Sequence, residues 1–216
     1  MVALFGTTGC SSQTEDPRNE YYVVLTPKDG ETPTNKEYDD VIETLRSRLD
    51  ENGYTEATIT RMDNGLRVEI PSIDNPDDVM QLLCNQGELQ FRDSKGNVRV
   101  RGEHVADAKS GYDQNGDPTV YLEFTTEGAK LFASATKAIA AKEDGVDNKF
   151  SVYLGDMLIS SPTVSEEIAN GQATIAGIDS IDIAKTIASV IRSGPLKIAF
   201  EISESEAINS KSGDKA

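Results

Sequence analysis

The spacing of hydrophobic positions at the start of the chain predicts a strand followed by an amphipathic helix. The run YYVVL (21–25) is rich in β-branched and aromatic residues, which favour strands. Between residues 35 and 52 the apolar side chains recur at the i, i+3, i+4 and i+7 spacing of one helix face; they are Tyr38, Val41, Ile42, Leu45 and Leu49. Gly53 then favours the end of this helix, because a residue without Cβ readily adopts a positive φ.

The next residues predict a hairpin and a short helix. Strands at 56–62 and 65–71 are joined by Asn64-Gly65, a dipeptide that favours the type I′ turn of a two-residue hairpin. The acidic stretch DNPDD (74–78) suits the start of a helix over 76–85, because carboxylates are stabilised at the N-terminal end of the helix dipole.

The sequence ELQFRD (88–93) predicts the next strand. With it, the order of elements becomes β-α-β-β-α-β, which is typical of a ferredoxin-like unit. A polar hairpin or linker is predicted at 93–105, and a loop at 110–118.

The middle of the chain predicts a second set of strands and helices. The predicted helix over 125–142 directs four side chains inward, namely Leu131, Phe132, Ala135 and Ile139. The other predicted elements are a strand at 119–124, a hairpin around Gly155-Asp156, a short helix at 164–169 and a strand at 172–177.

The end of the chain predicts a helix from about Ser180 to Gly194 and a closing strand at 196–202. We therefore expect an α+β fold. Its ferredoxin-like base is built from both ends of the chain, residues 20–101 and 178–203, and residues 102–177 form an inserted α+β head subdomain. The polar residues 204–216 are expected to form a disordered tail.

Charge limits the classes of partner. The 216 residues carry 21 basic and 37 acidic side chains, which gives a formal net charge of −16 at pH 7. A domain this acidic repels nucleic-acid phosphates and anionic lipid headgroups, so neither is expected as a partner.

The N-terminal sequence MVALFGTTGC resembles the end of a bacterial lipoprotein signal, in which the cysteine, here Cys10, becomes lipidated. Thr7 stands where leucine is usual and no basic region precedes it, so an accidental match is the alternative. In either case residues 1–19 are expected to be a signal remnant or flexible tether outside the fold. Cys84 lies in an apolar helical run and is expected to act as a small buried hydrophobic residue, while a Cys10–Cys84 disulfide remains open.

Residues with catalytic or metal-binding chemistry are sparse. His104 is the single histidine and has no partner motif at useful spacing, so it is expected to be a surface or turn residue. The sequence at 113–118, DQNGDP, begins like a calcium loop, but Pro118 replaces the required glycine and Phe124 stands at the position of the bidentate glutamate. We interpret it as an Asx-rich turn.

The aromatic residues of the head are expected to be core rather than binding surface; they are Phe124, Phe132, Phe150 and Tyr153. No cofactor, metal site or enzymatic activity is predicted. The chemistry indicates a binding or mechanical module.

Three stretches taken in order carry a family resemblance. Residues 41–93 contain a helix, paired strands and the motif LQFR, residues 102–136 lead into the head, and residues 152–202 end with the motif RSGPL. In these stretches the chain resembles the large extracytoplasmic domain of SecD, a membrane subunit of the bacterial protein-export translocase.

The resemblance implies a base that supports a mobile head, and a head that contacts unfolded preprotein emerging from the translocase. It also implies a location at the extracytoplasmic face of the membrane, with the membrane subunits of the translocase as partners. The membrane helices that carry protons in this family are absent from the sequence, so no catalytic residue is assigned, and the contact surface within 102–177 carries no recognisable motif. The alternative is a stand-alone, lipid-anchored lipoprotein of the same fold with a structural or partner-docking role.

Overall fold

The computed structural model describes residues 20–30, 32–71, 73, 76–142 and 147–208. Its helices are α1 (Asn35–Glu51), α2 (Pro76–Cys84), α3 (Thr126–Ala140) and α4 (Ile181–Ser193). Its strands are β1 (Glu20–Pro27), β2 (Thr58–Met62), β3 (Gly65–Ile70), β4 (Leu89–Asp93), β5 (Val98–Arg101), β6 (Val105–Tyr112), β7 (Pro118–Phe124), β8 (Phe150–Leu154), β9 (Met157–Ser160), β10 (Gln172–Ile175) and β11 (Phe200–Ile208).

The base is a four-stranded antiparallel sheet in the order β11-β1-β3-β2. Alternate residues of β1 and β3 face α1 and α2 and are fully buried, as the period-2 pattern of a half-buried strand requires. We call the resulting core the base cluster; it contains Val23, Leu25, Tyr38, Val41, Leu45, Leu49, Leu66, Val68, Ile70, Val79, Leu83, Leu196, Ile198 and Phe200. The two ends of the chain thus form one ferredoxin-like base, and the predicted fold class is confirmed.

The strand at 88–93 was assigned to the wrong sheet. β4 lies between β5 and β8 in a second sheet of order β5-β4-β8-β9. In the base sheet, β11 occupies the position that was predicted for the strand at 88–93. Leu89 and Phe91 are buried on one face of β4, and Gln90 is buried on the other. An apolar strand can join either sheet, and its local sequence does not specify its neighbours.

The head combines this sheet with a three-stranded sheet, β10-β7-β6, and with α3. In chain order, β6 is the first strand of this three-stranded sheet. No strand was predicted there, since the sequence predicted a linker at 93–105 and a loop at 110–118. We call the shared core the head cluster; it contains Leu82, Leu89, Phe91, Val100, Ala108, Val120, Leu122, Phe124, Phe132, Ala135, Ile139, Phe150, Val152, Leu154, Val164, Ile175, Ile178 and five residues of α4. Helix α4 therefore packs against the head sheet as well as against α1 and α2.

Four of the five predicted helices, α1 to α4, begin and end close to the expected residues. Thr34 caps α1 in a capping box with Glu37, and the side chains of Thr125 and Ser180 cap α3 and α4. Leu131 of α3 was predicted to face inward, but 37% of this residue is exposed, so the prediction is wrong for it.

The final strand is displaced relative to the prediction. It begins at Phe200 instead of residue 196 and continues to Ile208, so residues 204–208 are not a disordered tail. Its pairing with β1 explains the extension, since Glu20 opposes Ile208 and the Tyr22 hydroxyl donates a hydrogen bond to the Glu204 carboxylate. Residues 209–216 lie outside the described residues.

Candidate functional site

Four phenylalanine rings form the centre of the head cluster. Phe91, Phe124, Phe132 and Phe150 come from β4, β7, α3 and β8, and each is at most 7% exposed. The Phe132 ring stacks on Phe124 with centroids 4.6 Å apart and meets Phe91 edge-on at 5.5 Å. Such pairs contribute about 0.5–1.5 kcal/mol beyond burial. The three phenylalanines of residues 102–177 are buried, as predicted, and Phe132 and Phe150 also line the groove described below.

Tyr153 lies outside this core. In β8 the residues Phe150, Val152 and Leu154 face inward, so Tyr153 is on the opposite face of the strand and only half-buried. The Arg92 guanidinium carbon lies 4.3 Å from the centroid of its ring, a cation–π contact.

Residues 161–170, which we call the strap, cross the edge of the aromatic cluster. They are not helical, so the helix predicted at 164–169 is wrong. The Phe150 N–H donates to the Pro162 carbonyl at 3.0 Å, and the Val164 N–H donates to the Asn148 carbonyl at 2.9 Å. These bonds hold the start of the strap as an extended segment beside Phe150, the first residue of β8, and the residues that precede it.

The far end of the strap is held by a buried hydroxyl on α3. Thr136 is fully buried, its Oγ1 donates to the Phe132 carbonyl at 2.9 Å, and the same oxygen accepts the Ile168 N–H at 3.0 Å. A hydroxyl has one donor and two acceptor sites, so both bonds form together. Thr136 therefore fixes the strap to the helix below it.

A groove of about 420 Å³ lies between the strap and β10; we call it the head groove. Its floor is apolar and its rim is formed by the strap and by the first residues of β10. The lining residues are Phe91, Phe132, Phe150, Val152, Pro162, Thr163, Val164, Ser165, Glu166, Ile168, Asn170, Gln172, Ala173 and Thr174. All but Phe91 lie within the predicted head, residues 102–177.

One wall of the head groove is the edge of a sheet. β10 is the outermost strand of β10-β7-β6, and its residues Gln172–Thr174 pair with β7 and line the groove. The Gln172 N–H donates to the Asn170 side chain at 3.1 Å. An edge strand presents backbone N–H and C=O groups to whatever approaches it. The groove thus lies beside an apolar floor on one side and the outermost strand of a sheet on the other.

The charges around the groove are few. Among the described residues that line it, Glu166 is the one charged side chain, and the neighbouring Glu167 forms an ion pair with Lys137 at 3.0 Å. No histidine, cysteine or lysine lines the groove, and no cluster of potential metal ligands occurs in the described part of the chain. The arrangement is suited to binding an apolar segment.

Two candidates from the sequence lie away from the groove, in turns. His104 is in a 3₁₀ turn, and its Nδ1 accepts the Arg101 N–H at 3.2 Å. The Asp113 carboxylate accepts the N–H groups of Asn115 and Asp117 at 2.8 and 2.9 Å, and these bonds lower the pKa of Asp113. The interpretation of 113–118 as an Asx-rich turn is confirmed.

Cys84, the last residue of α2, is partly buried, and burial raises the pKa of its thiol to about 11. It is therefore a thiol rather than a thiolate at neutral pH, in keeping with the predicted packing role. The lipidation of Cys10, which the sequence left open beside an accidental match, and the open Cys10–Cys84 disulfide involve a residue outside the described part of the chain. Residues 74 and 75 of the predicted helix start also lie outside it.

Arg48 was missed in the sequence. Its side chain is fully buried, although arginine is rarely inside a protein. A signal was present, because Arg48 is three residues after Leu45 and seven after Val41, on the apolar face of α1. The groove residues of the strap gave no comparable signal, since they carry no motif and residues 164–169 were predicted, wrongly, as a helix.

Two family models match the chain. One describes the SecDF P1 head subdomain and matches residues 80–198, more than half of the chain. The other describes the N-terminal part of the P1 domain of protein translocase subunit SecDF and matches residues 38–96. This chain belongs to the SecD family. It corresponds to the P1 domain, as the resemblance of residues 41–93, 102–136 and 152–202 implied.

Relatives support the same assignment. SecD of Acidaminococcus fermentans is 32% identical over 191 residues, which cover 86% of this chain and 44% of that protein. SecDF of Thermus thermophilus is 31% identical over 80% of this chain and 22% of its own length. The chain thus spans less than half the length of these relatives.

Solved structures of SecDF share the fold. A SecDF structure in a super-membrane-facing form has a TM-score of 0.69 and 25% identity, covering 88% of this chain and 30% of that one. A second structure, of a SecDF described as a membrane component that enhances protein export, has a TM-score of 0.65 and 26% identity over 87% of this chain and 100% of that one. The chain is therefore a domain of the protein-export translocase family. In its described residues no helix is both long and apolar enough to cross a membrane.

Proposed function

We propose that this P1 domain assists protein export by contacting unfolded preprotein at the extracytoplasmic face of the membrane, and that the head groove is the contact surface. The domain would act without catalysis, beside the membrane subunits of the translocase. The observation that carries the proposal is the position of the β10 edge directly beside an apolar, aromatic floor.

An unfolded polypeptide has the chemistry that this groove complements. Its backbone N–H and C=O groups are free, and an extended segment can add to the edge of β10 as a further strand. The alternate side chains of such a segment would then face Phe132, Phe150 and Val152. Main-chain pairing is independent of sequence, so many different preproteins could bind.

Charge would bias the choice of segment. Glu166 lies on the groove and the whole chain carries a formal charge of −16, so acidic segments are repelled. We therefore expect neutral or basic apolar segments to bind best, and we expect added salt to reduce the difference between acidic and basic segments.

The proposal also concerns the division of the chain. The base and head clusters suggest a base lobe of residues 20–84 and 196–208 and a head lobe of residues 89–191, with Leu82 of α2 packing into the head cluster. On this proposed division the boundaries would differ from 101/102 and 177/178, which the sequence predicted, because residues of β4, β5 and α4 belong to the head cluster. Two connections, residues 85–88 and 192–195, then join the lobes.

Site-specific photo-crosslinking tests the contact surface. A photoreactive amino acid at Ser165 or Thr174, both exposed and both on the groove, should crosslink to a secretory protein held unfolded by reduction and carbamidomethylation. The same probe at Asp39 or Glu43, exposed on α1 of the base, is the control. Crosslinks at the base positions alone, or at none, would contradict the proposal.

Filling the groove gives a second test. Ala173→Phe places a ring in the groove and should reduce crosslinking from Ser165 at least fivefold, whereas Ala176→Phe, an exposed position just beyond β10, should leave it unchanged. The alternative, a stand-alone lipoprotein, has its own test. It would be favoured if a pull-down recovered one folded envelope protein in stoichiometric amount and the intact mass of the native protein showed lipid on Cys10.

A further inference from the structure

Arg48 makes four hydrogen bonds inside the protein. Its Nη1 donates to the Leu82 carbonyl at 2.9 Å and to the Asn85 carbonyl at 2.7 Å. Its Nε donates to the Ser193 hydroxyl at 2.8 Å, and its Nη2 donates to the Gly194 carbonyl at 2.8 Å. Four of the five guanidinium N–H groups are thus used without a carboxylate among these partners.

The acceptors are the C-terminal ends of two helices. Leu82 and Asn85 are at the end of α2, and Ser193 and Gly194 are at the end of α4. The last carbonyls of a helix lack partners within the helix and carry a partial negative charge, which favours a cation. Burial lowers the pKa of Arg48 to about 10, so the guanidinium remains charged at neutral pH.

These acceptors belong to both connections between the lobes. Asn85 begins the first connection, and Gly194 lies in the second. The connections also bond to each other, because the Leu196 N–H donates to the Gln86 carbonyl at 2.8 Å. A Cβ at Gly87 would lie 2.7 Å from both the Gly194 carbonyl oxygen and Arg48 Nη2, so the two segments and the guanidinium form one closely packed unit.

Two further contacts between the α1 end and α4 are polar. Arg192 forms an ion pair with Glu51, and the Thr186 hydroxyl donates to the Asn52 side chain at 3.5 Å. Apolar contacts join the lobes too, because Leu82 of α2 belongs to the head cluster and Tyr54 packs against both clusters. The other residues of each cluster belong to one lobe, and lobes joined by a limited interface can change their relative orientation.

We infer that Arg48 is a positioning residue that locks the head lobe in a fixed orientation on the base lobe by holding both connections at once. This inference goes beyond the proposed function, and it does not depend on preprotein binding. When the four bonds are present, the connections cannot rotate independently. When they are absent, the Gln86–Gly87 and Gly194–Pro195 segments become a pair of hinges.

The variants Arg48→Met and Arg48→Lys test the lock. Methionine preserves much of the apolar length and removes all four donors, and lysine keeps the charge but cannot reach all four acceptors from one point. Arg46→Met is the matched control, because Arg46 is exposed on the same helix. In a Cys10→Ser, Cys84→Ala background, spin labels at Glu43 on α1 and Lys130 on α3, both exposed, report the distance between the lobes.

The expected result is a distance distribution at least twice as broad in Arg48→Met as in the parent chain, with Arg48→Lys between them and Arg46→Met unchanged. Hydrogen exchange at the Leu196 amide should accelerate at least tenfold, while amides of β7 and β3 keep their protection. That pattern separates a lock between lobes from a general loss of stability.

Two results would overturn the inference. One is an unchanged distance distribution in Arg48→Met. The other is a joint loss of protection in β7, β3 and the connections, which would make Arg48 a general stability residue. If Arg48→Met does not fold, Ser193→Ala removes one acceptor on the α4 side alone and should broaden the distribution to a smaller extent; no broadening there contradicts the lock.

Discussion

Gly65 lies so close to Leu25 that a Cβ at Gly65 would be 2.1 Å from the Leu25 carbonyl oxygen. The glycine is the first residue of β3, has φ of 136°, and stands next to the β1–β3 pair of Leu25 and Leu66. Close approach of two backbones in the centre of the base sheet therefore requires glycine at this position.

Gly65→Ala should destabilise the domain by about 2–4 kcal/mol, because the new methyl group must push β3 away from β1 and also strains the backbone. Urea unfolding measures the change. Gly96→Ala is the control, since Gly96 also has a positive φ, 81°, but nothing lies within 4 Å of its missing Cβ. If Gly65→Ala lowers the free energy of unfolding no more than Gly96→Ala does, the clash with Leu25 relaxes without cost.

The Asp93 carboxylate should make stability depend on acid pH. Burial by itself would raise the pKa of Asp93, but hydrogen bonds from Asn97, Arg99 and the Lys95 N–H outweigh it and lower the pKa to about 2. Since the pKa in the folded state is below that in the unfolded state, this stabilisation is present above about pH 4 and is lost as the pH falls toward 2. We expect it to contribute about 2 kcal/mol at neutral pH.

Urea unfolding of wild type and Asp93→Asn between pH 2 and 7 measures this contribution. The two proteins should differ most at neutral pH and converge near pH 2. Asp113→Asn changes a similar but exposed turn and should have a smaller effect. A difference between wild type and Asp93→Asn that stays constant over the whole range would contradict the assignment to ionisation of Asp93.

Thr136→Val should release the strap from α3. Valine has nearly the same shape but cannot accept the Ile168 N–H, which would be left without its partner. We expect a loss of about 1–2 kcal/mol in unfolding free energy and faster hydrogen exchange at Ile168. Ser134→Ala, an exposed hydroxyl on the same helix, should change neither quantity. Unaltered exchange at Ile168 would show that the strap is held by its other contacts.

Much of the base was predictable because its signals are local. The period of α1, its end near Gly53, and the β2–β3 hairpin all follow from neighbouring residues. The turn of this hairpin differs by one residue from the prediction, since Met62 pairs with Gly65 and the turn residues are Asp63 and Asn64. Gly65 is needed for its contact with β1, which is distant in sequence.

The wrong predictions concern segments whose structure also depends on residues distant in sequence. β4 joined the head sheet, and the strap is extended because Thr136 and β8 bind its backbone. The head groove is built from residues between Phe91 and Thr174 that no local pattern brings together. Family resemblance located the head, and the structure was needed to find its groove and the buried Arg48.

The pairing of Glu20 with Ile208 has a mechanical consequence. Both ends of the described chain leave the base at the same end of two neighbouring antiparallel strands. A tension that separates the two flanks would break the β1–β11 hydrogen bonds one after another, starting at Glu20, instead of loading all of them together in shear. The base is thus a weak link against forces that pull its flanks apart, whereas a displacement applied to both flanks together would move the whole domain without peeling its sheet.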